Sequence, residues 1–378
     1  MKDERPGIPR ISMFQIEVSM NPETSLSGRR WHWLRLILFA TITALLLWSA
    51  TCSASIALLM EEPYGSYGAY NPTGHAAVYL DHVCAATPTQ LRMCRQGELG
   101  VVVSRYLRVH GNDWVAMPLV PYLYAVDDLA NAPYSPDPAK VRSIRIAYWQ
   151  AHLQDLAPAN KDGSAPMGFK HGLWIGLVGA SYDRDIHGYQ LDTTTEQDLN
   201  FIEKFNTSKN VSQYNLFSDN CADFANSVVK AYFPFTVRRN FIGDLGVLTP
   251  KRVSQAFVKY GRRHDDLHLS SFFIPQVEGR VPRSYPIRGF SESIVKSKRY
   301  IVPLVLINPT FAVAAIVGYL TEVHTGLPKN ATVIDLRSLA NQPTVTLSGS
   351  SLAITLETGG VAVDPVTVRE GVTAGPGS

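Results

Sequence analysis

Two sets of observations predict an α+β fold, an antiparallel sheet packed on helices. Strand-like stretches at residues 69–80 and 100–109 flank a loop carrying Cys84 and Cys94, so they pair as a hairpin around the cysteines. Helical apolar spacing or helix-start signals then recur at residues 139–156, 193–205, 221–230 and 250–260. With 378 residues and 46% hydrophobic content, the chain can bury a substantial core as one large domain or two small ones. A net charge of +3, with no basic stripe interleaved with aromatics, argues against nucleic acid as a partner.

From the N-terminus, Arg29, Arg30 and Arg35 precede residues 36–60, which are 25 residues without charge, and Glu61 and Glu62 follow. This segment directs the chain to a membrane. Its apolar heart gives way to Thr51-Cys52-Ser53-Ala54-Ser55, which suits signal-peptide cleavage, while the whole stretch is also long enough for an uncleaved anchor. In either case the basic flank places the rest outside the cytoplasm, in the periplasm or at the cell surface. Met20 heads a shorter basic leader and is an alternative start. Ser55 to Met60 then open the folded part as a strand.

Cys84 and Cys94 are separated by nine residues, and in an oxidising compartment they can close a disulfide worth about 2–3 kcal/mol; two unpaired thiols are the alternative. The Pro- and Asp-rich residues 117–138 read as a surface excursion, and 157–170 as another loop. Residues 173–181 and 186–191 read as strands. Threonines 193–195, followed by Glu196 and Asp198, read as a capped helix start. Lys296, Lys298 and Arg299 precede residues 300–321, which carry no formal charge over 22 residues. That run suits a second membrane span, an interfacial hairpin or a buried segment, with Pro303, Asn308 and Pro309 interrupting it. Residues 322–378 contain no Phe, Tyr or Trp and are expected to be disordered, or at most a short β-hairpin. The expected organisation is a leader over 1–54, a folded domain over 55–260, a connector over 261–299, the membrane candidate over 300–321 and the tail over 322–378.

The chemistry centres on Cys221, which follows Ser218-Asp219-Asn220 and heads a helix. A thiol at a helix N-terminus faces unsatisfied N–H groups and the positive end of the macrodipole, which favours a thiolate and would stabilise an oxyanion beside it. Its candidate base is His75, at the start of the apolar strand in Thr73-Gly74-His75-Ala76-Ala77-Val78. The plainer alternatives are a buried small hydrophobe for Cys221 and a loop-bonding histidine for His75. Asn220 can cap the helix or donate to an oxyanion. For a group that orients His75, residues 100–106 offer Ser104 and Arg105, while alternation sets His82 on the opposite strand face. His264 and His268 have i,i+4 spacing but no third ligand, so they read as a solvated helix end and no metal is called. Asp183, Arg184 and Asp185 read as a charged turn that can lie near the cleft, and Trp174, Tyr182, Tyr189 and Tyr214 as core.

A histidine that precedes the cysteine reverses the order of ordinary papain-type enzymes. With Gly74-His75 opening a strand and Asn220-Cys221 opening a helix, the chain resembles the circularly permuted NlpC-like papain fold, the lecithin:retinol acyltransferase superfamily. Within it the chain is most similar to the extracytoplasmic domain of Lnb-type lipoprotein transacylases. The resemblance covers residues 55–260 and is most specific over 193–232. It implies that Cys221 attacks an ester or amide carbonyl, that His75 is the general base, and that no cofactor is needed. The implied partners are a membrane and a lipid or lipoprotein substrate, with a cell-wall peptide as the alternative. The relatives carry a second histidine on the neighbouring strand, where this chain has Ser104 and Arg105. A non-catalytic envelope protein that keeps the fold is the rival.

Overall fold

All eight residues of β1, Ala54–Glu61, are buried. An apolar run without polar alternation is what a strand covered on both faces requires, and β1 is central. Of the uncharged stretch 36–60, the last seven residues therefore belong to the sheet, and any single helix across that whole stretch is excluded. In this computed structural model the described residues are 54–337, apart from 66–72, 108, 168–172, 213, 216–217, 235–236, 238, 240–245, 323–326 and 329. Of the leader expected over 1–54, residues 1–53 lie outside them, as does the tail beyond 337, while Ala54 already belongs to β1.

β1 pairs antiparallel with β2, His75–Leu80, which continues into a small two-stranded hairpin of β3, Val83–Thr87, and β4, Gln90–Met93. A disulfide between Cys84 and Cys94 closes that hairpin. The chain returns as β5, Val101–Ser104, antiparallel to β2, and then as β6, Val115–Pro118. On the other side of β1 lie β7, Ile186–Thr193, and β8, Ser270–Ile274, both antiparallel, with β9, Thr332–Val333, parallel to β8 at the edge. The sheet order is β6-β5-β2-β1-β7-β8-β9. The architecture is thus α+β, with a large, mainly antiparallel sheet packed with helices.

Alternation divides the sheet's side chains between two cores. On one face Ile56, Leu58, Val78, Leu80 and Leu191 pack against α4, Thr195–Thr207, α5, Cys221–Tyr232, and α6, Pro250–Gly261. On the other, Ala57, Leu59, Ala77, Tyr79 and Val102 pack against α1, Leu119–Tyr124, α2, Pro138–His152, and the short α3, Ala180–Asp183. Thr194 caps α4 and forms a reciprocal capping box with Gln197.

Several expectations are corrected. Residues 117–138 are not wholly a surface excursion: β6 and α1 lie there, and every residue of α1 is buried because Tyr122, Leu123 and Tyr124 fill the second core. Residues 173–181 form a single-turn helix, Trp174–Leu177, and the start of α3 rather than a strand, since Trp174 and Leu177 plug that core from a loop. The sheet does not end at Tyr260, because β8 arises inside the expected connector. Residues 300–321 are divided into α8, Lys298–Ile307, and α9, Pro309–Glu322, after α7, Phe290–Lys296, and among the described residues no helix is long and apolar enough to cross a membrane. The break falls at Pro309, which lacks an N–H. The start of the tail is ordered: Thr332 and Val333 join the sheet, and Ile334 and Leu336 are buried in the second core.

Candidate active site

The start of β2 is built by a glycine that no other residue can replace. Gly74 has φ +76°, and a Cβ there would lie 2.2 Å from the Glu61 carbonyl oxygen. The close approach places His75 in register with Glu61, the last residue of β1. His75 stacks on Tyr106, with ring centroids 4.3 Å apart and planes 23° from parallel. Tyr106 belongs to the second core, so the imidazole turns toward the face carrying α1, α2 and α3.

Beneath His75 lies a buried charged cluster. Arg184 Nη1 is 2.8 Å from Glu61 Oε2, and the Tyr122 hydroxyl donates to Glu61 Oε1. The Arg184 guanidinium also sits 4.6 Å over the Tyr64 ring. Burial pushes the Glu61 carboxyl up, with Arg184 and Tyr122 pulling it back. Burial, reinforced by the Arg184 charge, pushes His75 well below the ordinary imidazole value, so the resting ring is neutral. Two polar atoms here have no hydrogen-bond partner among the described residues, His75 Nε2 and Arg184 Nε.

On the other side, Asn220 caps α5. Its Oδ1 accepts from the N–H of Ala222 at 2.8 Å and of Asp223 at 3.1 Å, while its Nδ2 donates to the Leu248 carbonyl at 3.0 Å. With that amide N–H group engaged, the side chain serves as a cap. Asp223 closes the capping box and pairs with Arg239. Arg105 reaches from the end of β5 to Asp113 at 2.5 Å and to Asp219, and its guanidinium lies 5.1 Å over Phe224. Arg105 thus clamps the loop that delivers Cys221.

Cys221 is half-buried, and its sulfur is met by the backbone N–H groups of Ala76, Ala222 and Cys221 itself. Burial pushes the thiol up to about 11, with these N–H groups opposing it and the Glu61 charge adding to the rise. The helix N-terminus does not produce a resting thiolate, because desolvation outweighs the N–H groups. Cys221 therefore meets β2 at Ala76, one residue from His75. Its helix packs on the face that takes Ala76 and Val78, opposite the face onto which His75 stacks.

The remaining sequence candidates have other places. Ser104 lies opposite Ala77, one pleat along from His75, with its buried hydroxyl unpartnered among the described residues; Tyr106, not Ser104, covers the imidazole. His82 follows the far end of β2. His264 bonds the Tyr260 carbonyl and His268 bonds Asp192, so the two serve separate local contacts. The only metal-type grouping among the described residues is Cys84, Cys94 and Glu98, whose two sulfurs are joined to each other and whose carboxylate is held by Arg92. Glu61, Tyr106 and Tyr122 were absent from the expected site. Alternation from Val102 through Ser104 to Tyr106 was the signal available for Tyr106. None marked Tyr122, on a helix where the sequence suggested a loop. No family model, curated protein or solved structure matches this chain.

Proposed function

We propose that the protein is a cysteine-dependent acyl transferase or hydrolase of permuted papain-like fold, acting outside the cytoplasm at an ester or amide carbonyl of a lipoprotein or membrane lipid. The observation that carries this is the convergence of the Cys221 sulfur and the start of the His75 strand at the Ala76 N–H. In the first step the His75 ring, stacked on Tyr106 at rest, turns toward the sulfur, and a neutral thiol gives it its proton as the sulfur attacks the carbonyl carbon. The N–H groups of Ala76 and Cys221 receive the oxyanion. The acyl C–O or C–N bond breaks, and the imidazolium returns the proton to the leaving alcohol or amine. An acceptor amine or water then attacks the thioester, gives its proton to His75, and the released sulfur recovers it.

A resting neutral pair suits this cycle, since charge arises only when a substrate has displaced water. The Glu61–Arg184 pair and the stacked Tyr106 are positioning groups for the imidazole. A second reading, a non-catalytic envelope protein, is favoured by His75 facing the core opposite α5.

The test incubates the full chain in detergent micelles with a phospholipid carrying a mass-labelled acyl chain, and separately with a cell-wall peptide, followed by mass analysis of the Cys221 peptide. A labelled acyl group on Cys221, lost in His75→Ala, supports lipid acyl transfer. A peptide-derived adduct would redirect the substrate class to wall peptides. No adduct from either donor, or one indifferent to His75→Ala, gives the non-catalytic reading.

A further inference from the structure

The α8–α9 hairpin reverses the arrangement of a helix pair made for water. α9 turns small residues inward, with Ala312 and Ala315 buried and Gly318 continuing the same spacing. Large apolar side chains point outward: Val305, Val313, Val317 and Leu320 are exposed, and at the tip Leu306 and Ile307 are 79% and 83% exposed. A contiguous patch of this kind marks a surface that meets something apolar.

The base of the hairpin has the opposite character. Lys298 and Arg299 are exposed there, as is Lys296, which is paired with Glu292 at 2.7 Å and lies 5.6 Å from the Tyr319 ring centroid, with Tyr300 half-buried on the adjoining helix. Between Glu292 and Glu322 the sequence has no acidic residue. An apolar tip above a ring of cations and tyrosines matches the order of layers in an anionic membrane, acyl chains beyond and phosphates beside the base.

Length decides the depth. α8 has 10 residues and α9 has 14, which at the helical rise extend about 15 and 21 Å, against about 30 Å of bilayer hydrocarbon. We infer that the α8–α9 hairpin inserts as a wedge into one leaflet of an anionic bilayer, without crossing it. Residues 305–310 lie among acyl chains, and Lys298, Arg299 and the two tyrosines lie at the headgroups.

The test uses the full chain with Cys52→Ser and Cys221→Ser, so that the outcome is independent of the proposed chemistry. Leu306→Cys, Val317→Cys or the water-facing control Val211→Cys carries a spin label, in phosphatidylcholine vesicles with and without phosphatidylglycerol. Because the N-terminal apolar segment can hold the protein on vesicles by itself, depth is read rather than binding. The label at 306 should lose access to a water-soluble nickel chelate and gain access to oxygen, the label at 317, level with Arg299, should do so to a lesser degree, and the label at 211 keeps the chelate. Lys298→Glu with Arg299→Glu should remove the effect of phosphatidylglycerol. Equal chelate access at 306 and 211 overturns the wedge. So does spin broadening between copies at 306 without oxygen preference, which would make a second copy the occupant.

Discussion

The two halves of the candidate site are built to different standards. At the start of α5, Asn220, Asp223, Arg105 and Arg239 form a connected set of caps and ion pairs around the loop, all of them holding the backbone. At the start of β2, His75 Nε2 and Arg184 Nε are buried without hydrogen-bond partners among the described residues. Buried polar atoms are costly when unsatisfied, and the α5 side also leaves Arg105 Nε and Asp113 Oδ1 in that state; the difference is that Arg105 and Asp113 are tied by their other atoms into ion pairs that hold the loop, whereas the His75 ring is held by stacking alone. The two sides are thus held differently: caps and ion pairs fix the cysteine side, while stacking on Tyr106 leaves His75 Nε2 open to a partner.

The contrast predicts a graded series of effects. Cys221→Ala should abolish the acyl adduct, and His75→Ala should slow its formation by about 10²–10⁴-fold, the usual weight of a general base, read from the rate of labelled-acyl incorporation. If the histidine side merely stores strain, His75→Ala would stabilise the fold and leave that rate unchanged.

The next largest effect falls on the buried pair. Glu61→Gln or Arg184→Met alone should cost about 3–5 kcal/mol in urea unfolding, because each leaves an uncompensated charge, whereas the double variant should lose much less than the sum. On the cysteine side, Arg105→Met should cost about 1.5–3 kcal/mol through its charged hydrogen bonds and raise Cys221 alkylation by loosening the loop. Asn220→Ala should cost about 0.5–2 kcal/mol as a lost cap.

The last effect is a slope with pH at the far end of the sheet. Asp198, buried in α4, is pushed up to about 7 by desolvation. The folded state therefore binds more protons than the unfolded state between the ordinary carboxyl value of about 4 and about 7. Its contribution is present in full at low pH and is lost as pH rises through about 7. His75, held neutral, works in the opposite sense, since the unfolded imidazole takes a proton below about 6.5 and stability rises with pH up to there. In urea titrations Asp198→Asn should leave the rising His75 limb exposed below that pH, and an unchanged profile would mean that Asp198 stays ionised in the fold.

Much of this protein was written locally. The caps at Thr194 and Asn220, the helix from Pro250, the strand from Ile186 and the strand start at Gly74-His75 follow from short-range signals, because capping and alternation are settled within a few residues. Tertiary structure decided the rest. Residues 119–124 are buried although the prolines around them suggested a surface loop, and residues 332–336 join the sheet and core although their composition suggested disorder, because a distant partner offered each a place. The same holds for the site's electrostatics. The sequence placed Cys221 at a positive helix end and so pointed to a thiolate, but the depth of the sulfur was set by residues far away in the chain, and desolvation at that depth keeps the thiol neutral.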